Sequence, residues 1–178
     1  STASTARMWC ATLNTSTTST AKITINLENI NLNGNNFNGA VAKIRGGAEL
    51  NVNAGTVITG ADSYVGIEAY GATVNIYEGA EIYQNGKSSY VGSLVGVSGN
   101  GTVNVYGGKG TSAQGGFIAM TSGGTINVSG GEWTANGDGT VAGGNQGVLV
   151  SQNNRNEKGW ACKSILNVTG GTFKGGYD

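Results

Sequence analysis

From Ile23 to Thr169 one short pattern keeps returning, an asparagine held between two aliphatic residues: ITINL, ELNVN, TVNIY, TVNVY, TINVS and ILNVT. Alternation of this kind has the period of a β-strand, so each segment predicts a strand that turns its aliphatics to one side and its asparagine to the other. The asparagines are Asn26, Asn51, Asn75, Asn104, Asn127 and Asn167. Before them stand Ile25, Leu50, Val74, Val103, Ile126 and Leu166, and after them Leu27, Val52, Ile76, Val105, Val128 and Val168. All of these flanking residues are aliphatic, which predicts one continuous buried face.

Four residues beyond the asparagine come Gly55, Gly79, Gly108, Gly131 and Gly171, with Ile30 in the first copy. Glycine adopts the positive φ of a tight corner without steric cost, so a corner is expected there. A second short strand follows each corner (NINLN, TVIT, EIYQ, EWTAN, TFKG), and a third precedes the next asparagine (AVAKI, YVGIEAY, GSLVGV, FIAMT, QGVLV). The copy after Asn104, GGKGTSAQGG, lacks a large apolar residue and is expected to be the weakest-packed side of its coil.

The asparagines are 25, 24, 29, 23 and 40 residues apart. Periods of 20 to 50 residues mark solenoids. The expected fold is therefore all-β, a parallel β-helix with three short strands per coil and about six coils, forming a single domain over residues 22–178. A β-sandwich, which also uses short strands and turns, is the structural alternative. The long final interval predicts a loop pushed out around residues 152–159. Residues 1–21, rich in Ser and Thr with Trp9 among them, predict an N-terminal cap or arm.

Composition narrows the function. Charged residues make up 11% of the chain, against about 25% in an average domain, and the formal net charge is zero. A neutral chain has no basic stripe for nucleic acid. No apolar run is long enough for a membrane-spanning helix. With no histidine and two cysteines, no transition-metal cluster and no cofactor are expected. Disorder, suggested by so much glycine, conflicts with the regularly spaced aliphatics.

The strings TVNIYEGAEI, TINVSGGEW and ILNVTGGTF resemble the right-handed parallel β-helix repeats of pectin-lyase-like domains, especially those of bacterial cell-surface and adhesin-type proteins. The resemblance spans residues 22–177. It implies a right-handed coil and an extracellular or cell-surface location. Many such domains are polysaccharide lyases or hydrolases, which gather carboxylates around calcium or pair two aspartates. Here Glu28, Glu49, Glu78, Glu81 and Glu132 take different positions relative to the aligned asparagines. Asp62 and Asp138 share a column, but three coils put them about 14 Å apart, beyond the roughly 6.5 to 9.5 Å of an inverting pair. No catalytic residue is assigned and an enzyme is not expected, a polysaccharide lyase or hydrolase standing as the second alternative to the structural reading below. Lys109 and Glu132, each five residues after its asparagine, are expected to form a surface ion pair.

The leading functional expectation is an extracellular structural solenoid, either the subunit of a head-to-tail surface filament or a segment of an adhesin stalk. Its partner would be another copy of itself. The alternative is a polysaccharide-binding module using an outward face of Thr73, Tyr77, Thr102, Tyr106 and Thr125 beside the asparagines. The same asparagines also read as a ladder that satisfies itself, and an ordered-water or ice surface is a third reading. Cys10 and Cys162 are disulfide candidates. They would join within one molecule if the N-terminal arm folds back along the stack, between molecules in a head-to-tail array, or stay as thiols. Glycosylation sequons at Asn14, Asn100, Asn127 and Asn167 occur at about the frequency that composition alone gives.

Overall fold

A computed structural model describes residues 22–34, 40–60, 65–85, 93–113, 118–136, 150–151 and 164–175, the side chains of 118–122 and 150–151 excepted. The expected cap over 1–21, the loop around 152–159, Cys10, Cys162, Asp62 and Asp138 lie outside the described residues.

The first turn is built from β1 (Thr24–Leu27), β2 (Asn31–Asn33) and β3 (Ala42–Arg45), and the second from β4 (Glu49–Val52), β5 (Val57–Gly60) and β6 (Ile67–Tyr70). Next come β7 (Thr73–Ile76), β8 (Glu81–Gln84), β9 (Val95–Val105), β10 (Lys109–Ser112) and β11 (Ile118–Val128). The series ends with β12 (Glu132–Ala135), β13 (Val150–Ser151), β14 (Ser164–Val168) and β15 (Thr172–Gly175). Every pairing is parallel, which rules out the sandwich alternative, and the described residues contain no helix. None is therefore long and apolar enough to cross a membrane.

The result is a parallel β-solenoid with three faces. Face one stacks β1, β4, β7, the second half of β9, the second half of β11, and β14. Face two stacks β2, β5, β8, β10, β12 and β15. Face three carries β3, β6, the first halves of β9 and β11, and β13. Faces one and two thus hold six rungs each. Turns described on all three sides, side chains included, number three, fewer than the six coils expected from the repeat.

Inward-facing columns make the core. On face one Leu50, Val52, Val74, Ile76, Val103, Val105, Ile126 and Val128 are fully buried. The expectation that all twelve flanking aliphatics are buried fails at the two ends. Ile25 and Leu166 are only partly covered, and Val168 is 41% exposed. Inner rungs are sealed by rungs on both sides, whereas the first and last described rungs have a described neighbour on one side only, and on the first of these Leu27 is nonetheless buried.

The corners explain the glycines. Gly55, Gly79, Gly108, Gly131 and Gly171 all take positive φ, from 74° to 104°, a region that costs residues with a Cβ. In the first rung Asn29 (φ 52°) takes that role, as asparagine can. Corner length varies. Six residues separate Asn51 from Val57 and Asn75 from Glu81, whereas five separate the ladder asparagine from the second strand in the other rungs.

The side expected to pack worst is arranged differently. Gly110 stands in register between Ile82 and Trp133, so the residue with no side chain lies next to the largest. Trp133 is 1% exposed and donates its indole N–H to the carbonyl of Gly130 at 3.2 Å. Alternating small and large residues lets neighbouring layers interdigitate, which offsets the missing side chain.

Candidate binding faces

Face one presents its outward side chains in three columns. The central one is a ladder of amides: Asn51 Nδ2 donates to Asn26 Oδ1 at 2.9 Å, Asn75 to Asn51 at 2.8 Å, and Asn104 to Asn75 at 2.8 Å. Asn127 donates to Asn104 at 2.9 Å and Asn167 to Asn127 at 2.8 Å. Stacked strands lie about 4.8 Å apart, a spacing that an amide bridges with a donor on one side and an acceptor on the other. All six asparagines therefore stand in one line. Asn75, in the middle, is only 8% exposed.

A second column runs Thr24, Glu49, Thr73, Thr102, Thr125 and Ile165. Thr73, Thr102 and Thr125 are adjacent and half-buried beside the ladder. In the third column Tyr77 and Tyr106 stack with ring centroids 5.2 Å apart and planes 19° from parallel. They are 36% and 53% exposed. One face of each ring is covered by the other ring, so the pair offers outward edges and hydroxyls together with its two remaining faces.

No protein-family model, curated protein or solved structure matches this chain. The chemistry must be read from the geometry.

Face two holds the charged cluster. The Lys109 ammonium lies 2.9 Å from Glu81 Oε1, and the Tyr83 hydroxyl donates to Glu81 Oε2 at 2.6 Å. The Tyr83 hydrogen bond, then the one from Lys109, holds the Glu81 carboxyl below the usual carboxylate range. Glu81 in turn raises the pKa values of Tyr83 and Lys109. This corrects two expectations. Lys109 is in register with Glu132 but its ion pair is with Glu81 in the rung before, and Glu81 and Glu132 share one column after all. The extra residue in the corner before Glu81 hid that alignment. Beside this column, Tyr83, Thr111, Thr134 and Lys174 border a shallow trough of about 150 Å³.

Face three covers one of its outward carboxylates, while Tyr70 on the same face is 47% exposed. Glu68, in an outward position, is 6% exposed; it pairs with Lys43 at 2.5 Å and accepts from Ser98 Oγ at 3.2 Å. The remaining described carboxylates include Glu49, which accepts from Asn51 Nδ2 at 3.3 Å. Among the described residues no group of three or more metal-ligating side chains gathers. The signal that sequence reading missed was the corner length, which moves Glu81 by one place relative to its asparagine.

Proposed function

We propose that the chain is an extracellular structural solenoid, working as the subunit of a head-to-tail surface filament or as a rod segment of an adhesin-type stalk. The observation that carries this reading is the amide ladder, which joins all six rungs of face one by side-chain hydrogen bonds in addition to the backbone ladder. A structure whose most regular polar side chains bond to each other along the axis is organised for axial continuity. The similarity of TVNIYEGAEI, TINVSGGEW and ILNVTGGTF to cell-surface β-helix repeats supports the same reading. Few charges oppose close packing of such rods.

Negative-stain electron microscopy and sedimentation across a concentration series test it. Six rungs at about 4.8 Å make a prism of about 30 Å. Rods several times that length, growing with concentration, are the expected result. Short particles at all concentrations would refute the filament.

A second reading is supported by the exposed Tyr77–Tyr106 pair beside Thr73, Thr102 and Thr125: a polysaccharide-binding face that uses ring faces and hydroxyls. It is tested by binding to a panel of neutral and acidic polysaccharides. Tyr106→Ala should abolish binding with the circular dichroism spectrum unchanged.

A further inference from the structure

The tyrosine stack on face one stops in mid-column. Read along the axis, its column runs Asn53, Tyr77, Tyr106, Ser129 and Thr169, one residue per rung. Tyr77 covers the face of the Tyr106 ring that is turned to the earlier rung, so the other face is turned to the rung of Ser129. A serine is too short to cover it. Tyr106 is accordingly 53% exposed, against 36% for Tyr77, whose own outer face is turned to the longer Asn53.

What remains is a slot one ring wide. Its wall is Tyr106, its floor Ser129 and its far side Thr169, two rung spacings or about 9.6 Å from Tyr106. A further ring set at the tyrosines' own step of 5.2 Å falls over Ser129. Ser129 Oγ donates to the carbonyl of Val105 at 3.2 Å, and Thr169 Oγ1 to that of Val128 at 3.3 Å. Both hydroxyl protons are thus held inside the stack, and the oxygens are left as acceptors. Residues 102–107, 125–130 and 165–170, which make these three rungs of face one, include no charged side chain, whereas Glu28, Glu49 and Glu78 lie along the earlier rungs.

A ligand for this slot needs a face of C–H groups for the ring, hydroxyl donors for the two acceptors, and no negative charge. We infer that the slot is a subsite for one uncharged pyranose of a polysaccharide, stacked on Tyr106 over Ser129. The inference rests on the polysaccharide-binding reading and adds the seat of one sugar ring and the exclusion of uronic acids and sulfated sugars.

Ser129→Ile fills the slot and leaves both tyrosines in place. A β-branched residue suits the end of a strand and packs against a neighbouring ring. The probes are soluble neutral glucans, galactans and mannans set against polyuronates and sulfated glycans, with affinity read by titration calorimetry. Binding of a neutral probe should weaken about tenfold in Ser129→Ile, the upper end of what one stacked ring contributes. Ser129→Ala keeps the slot open and should stay within about threefold of the native chain. Saturation-transfer NMR on the native chain tests the same contact without a variant: saturation of the aromatic protons should reach the C–H protons of the bound sugar. The slot is overturned, and the polysaccharide-binding reading left standing, by native-like binding in Ser129→Ile, by an equal loss in Ser129→Ala, by no transfer from the aromatic protons, or by acidic probes binding as tightly as neutral ones. If the native chain binds none of the probes, both fall.

Discussion

Asn75 is the position at which the ladder can be measured. Its amide donates to Asn51 and accepts from Asn104, both at 2.8 Å, with 8% of the residue exposed. Asn75→Ala removes two hydrogen bonds of about 1 kcal/mol each and strands a carbonyl and an amide donor in partly covered sites, for a total of about 2 to 4 kcal/mol. In a chain of this length each kcal/mol moves Tm by roughly 2 to 4 °C, so a fall of about 5 to 15 °C is expected. Asn26→Ala, which breaks one exposed bond at the end of the ladder, should cost about 1 kcal/mol or less. Asn75→Asp adds a pH signature. Its carboxylate still accepts from Asn104 but faces the Asn51 carbonyl, so its folded pKa is raised and its deficit relative to the native chain should shrink as pH falls through that value. Urea and thermal denaturation followed by circular dichroism read all three. Asn75→Ala within about 0.5 kcal/mol of Asn26→Ala would refute the ladder as a source of stability.

Gly131→Ala should cost about 2 kcal/mol or more in urea denaturation, because φ is +97° there and a Cβ would stand 2.5 Å from the Trp133 ring nitrogen; a neutral result would mean that corner relaxes freely. A double-mutant cycle on Tyr77 and Tyr106 should give a coupling of about 0.5 to 1.5 kcal/mol from their stacking, and zero coupling would mean the rings do not hold each other in solution. Glu81→Gln should lower stability most near neutral pH, with a deficit that shrinks toward both acid and alkaline pH. The Glu81 contribution is present above the ordinary carboxylate pKa and lost as pH falls through its lowered folded value, while that of Tyr83 and Lys109 is present below about 10 and lost as pH rises through their raised values. A native-minus-variant difference in Tm that stays flat from acid to alkaline pH would contradict this.

Much of the fold was legible because it rests on local rules that repeat. Alternation around the asparagine placed the first strands, and the positive-φ glycines placed the corners. What escaped were effects that depend on neighbours in space. Burial of Val168 needs a rung on both sides, which the residue's own flanks do not reveal. The packing of Gly110 depends on Trp133, 23 residues later, and its column neighbour. The Glu81–Lys109 pair was obscured because counting from the asparagine assumes a constant corner, while Thr56 and Ala80 each add one residue. Burial of Glu68 was also hidden, since the sequence places it on an outward position without saying that it is covered.

The geometry of face one makes the two functional readings separable by experiment. From Asn51 to Asn127 each ladder amide already donates along the axis and accepts from its neighbour, so its strongest polar groups are committed inside the stack. A ligand lying on this face must therefore draw on the Thr hydroxyls and the Tyr pair, which lie outside the ladder. Axial assembly, as proposed, would instead draw on the backbone edges of stacked rungs. Tyr106→Ala should thus abolish any polysaccharide binding and leave rod growth intact. If that change removed both properties while the fold stayed native, ligand surface and assembly surface would have to be a single site, and this division of face one would be wrong.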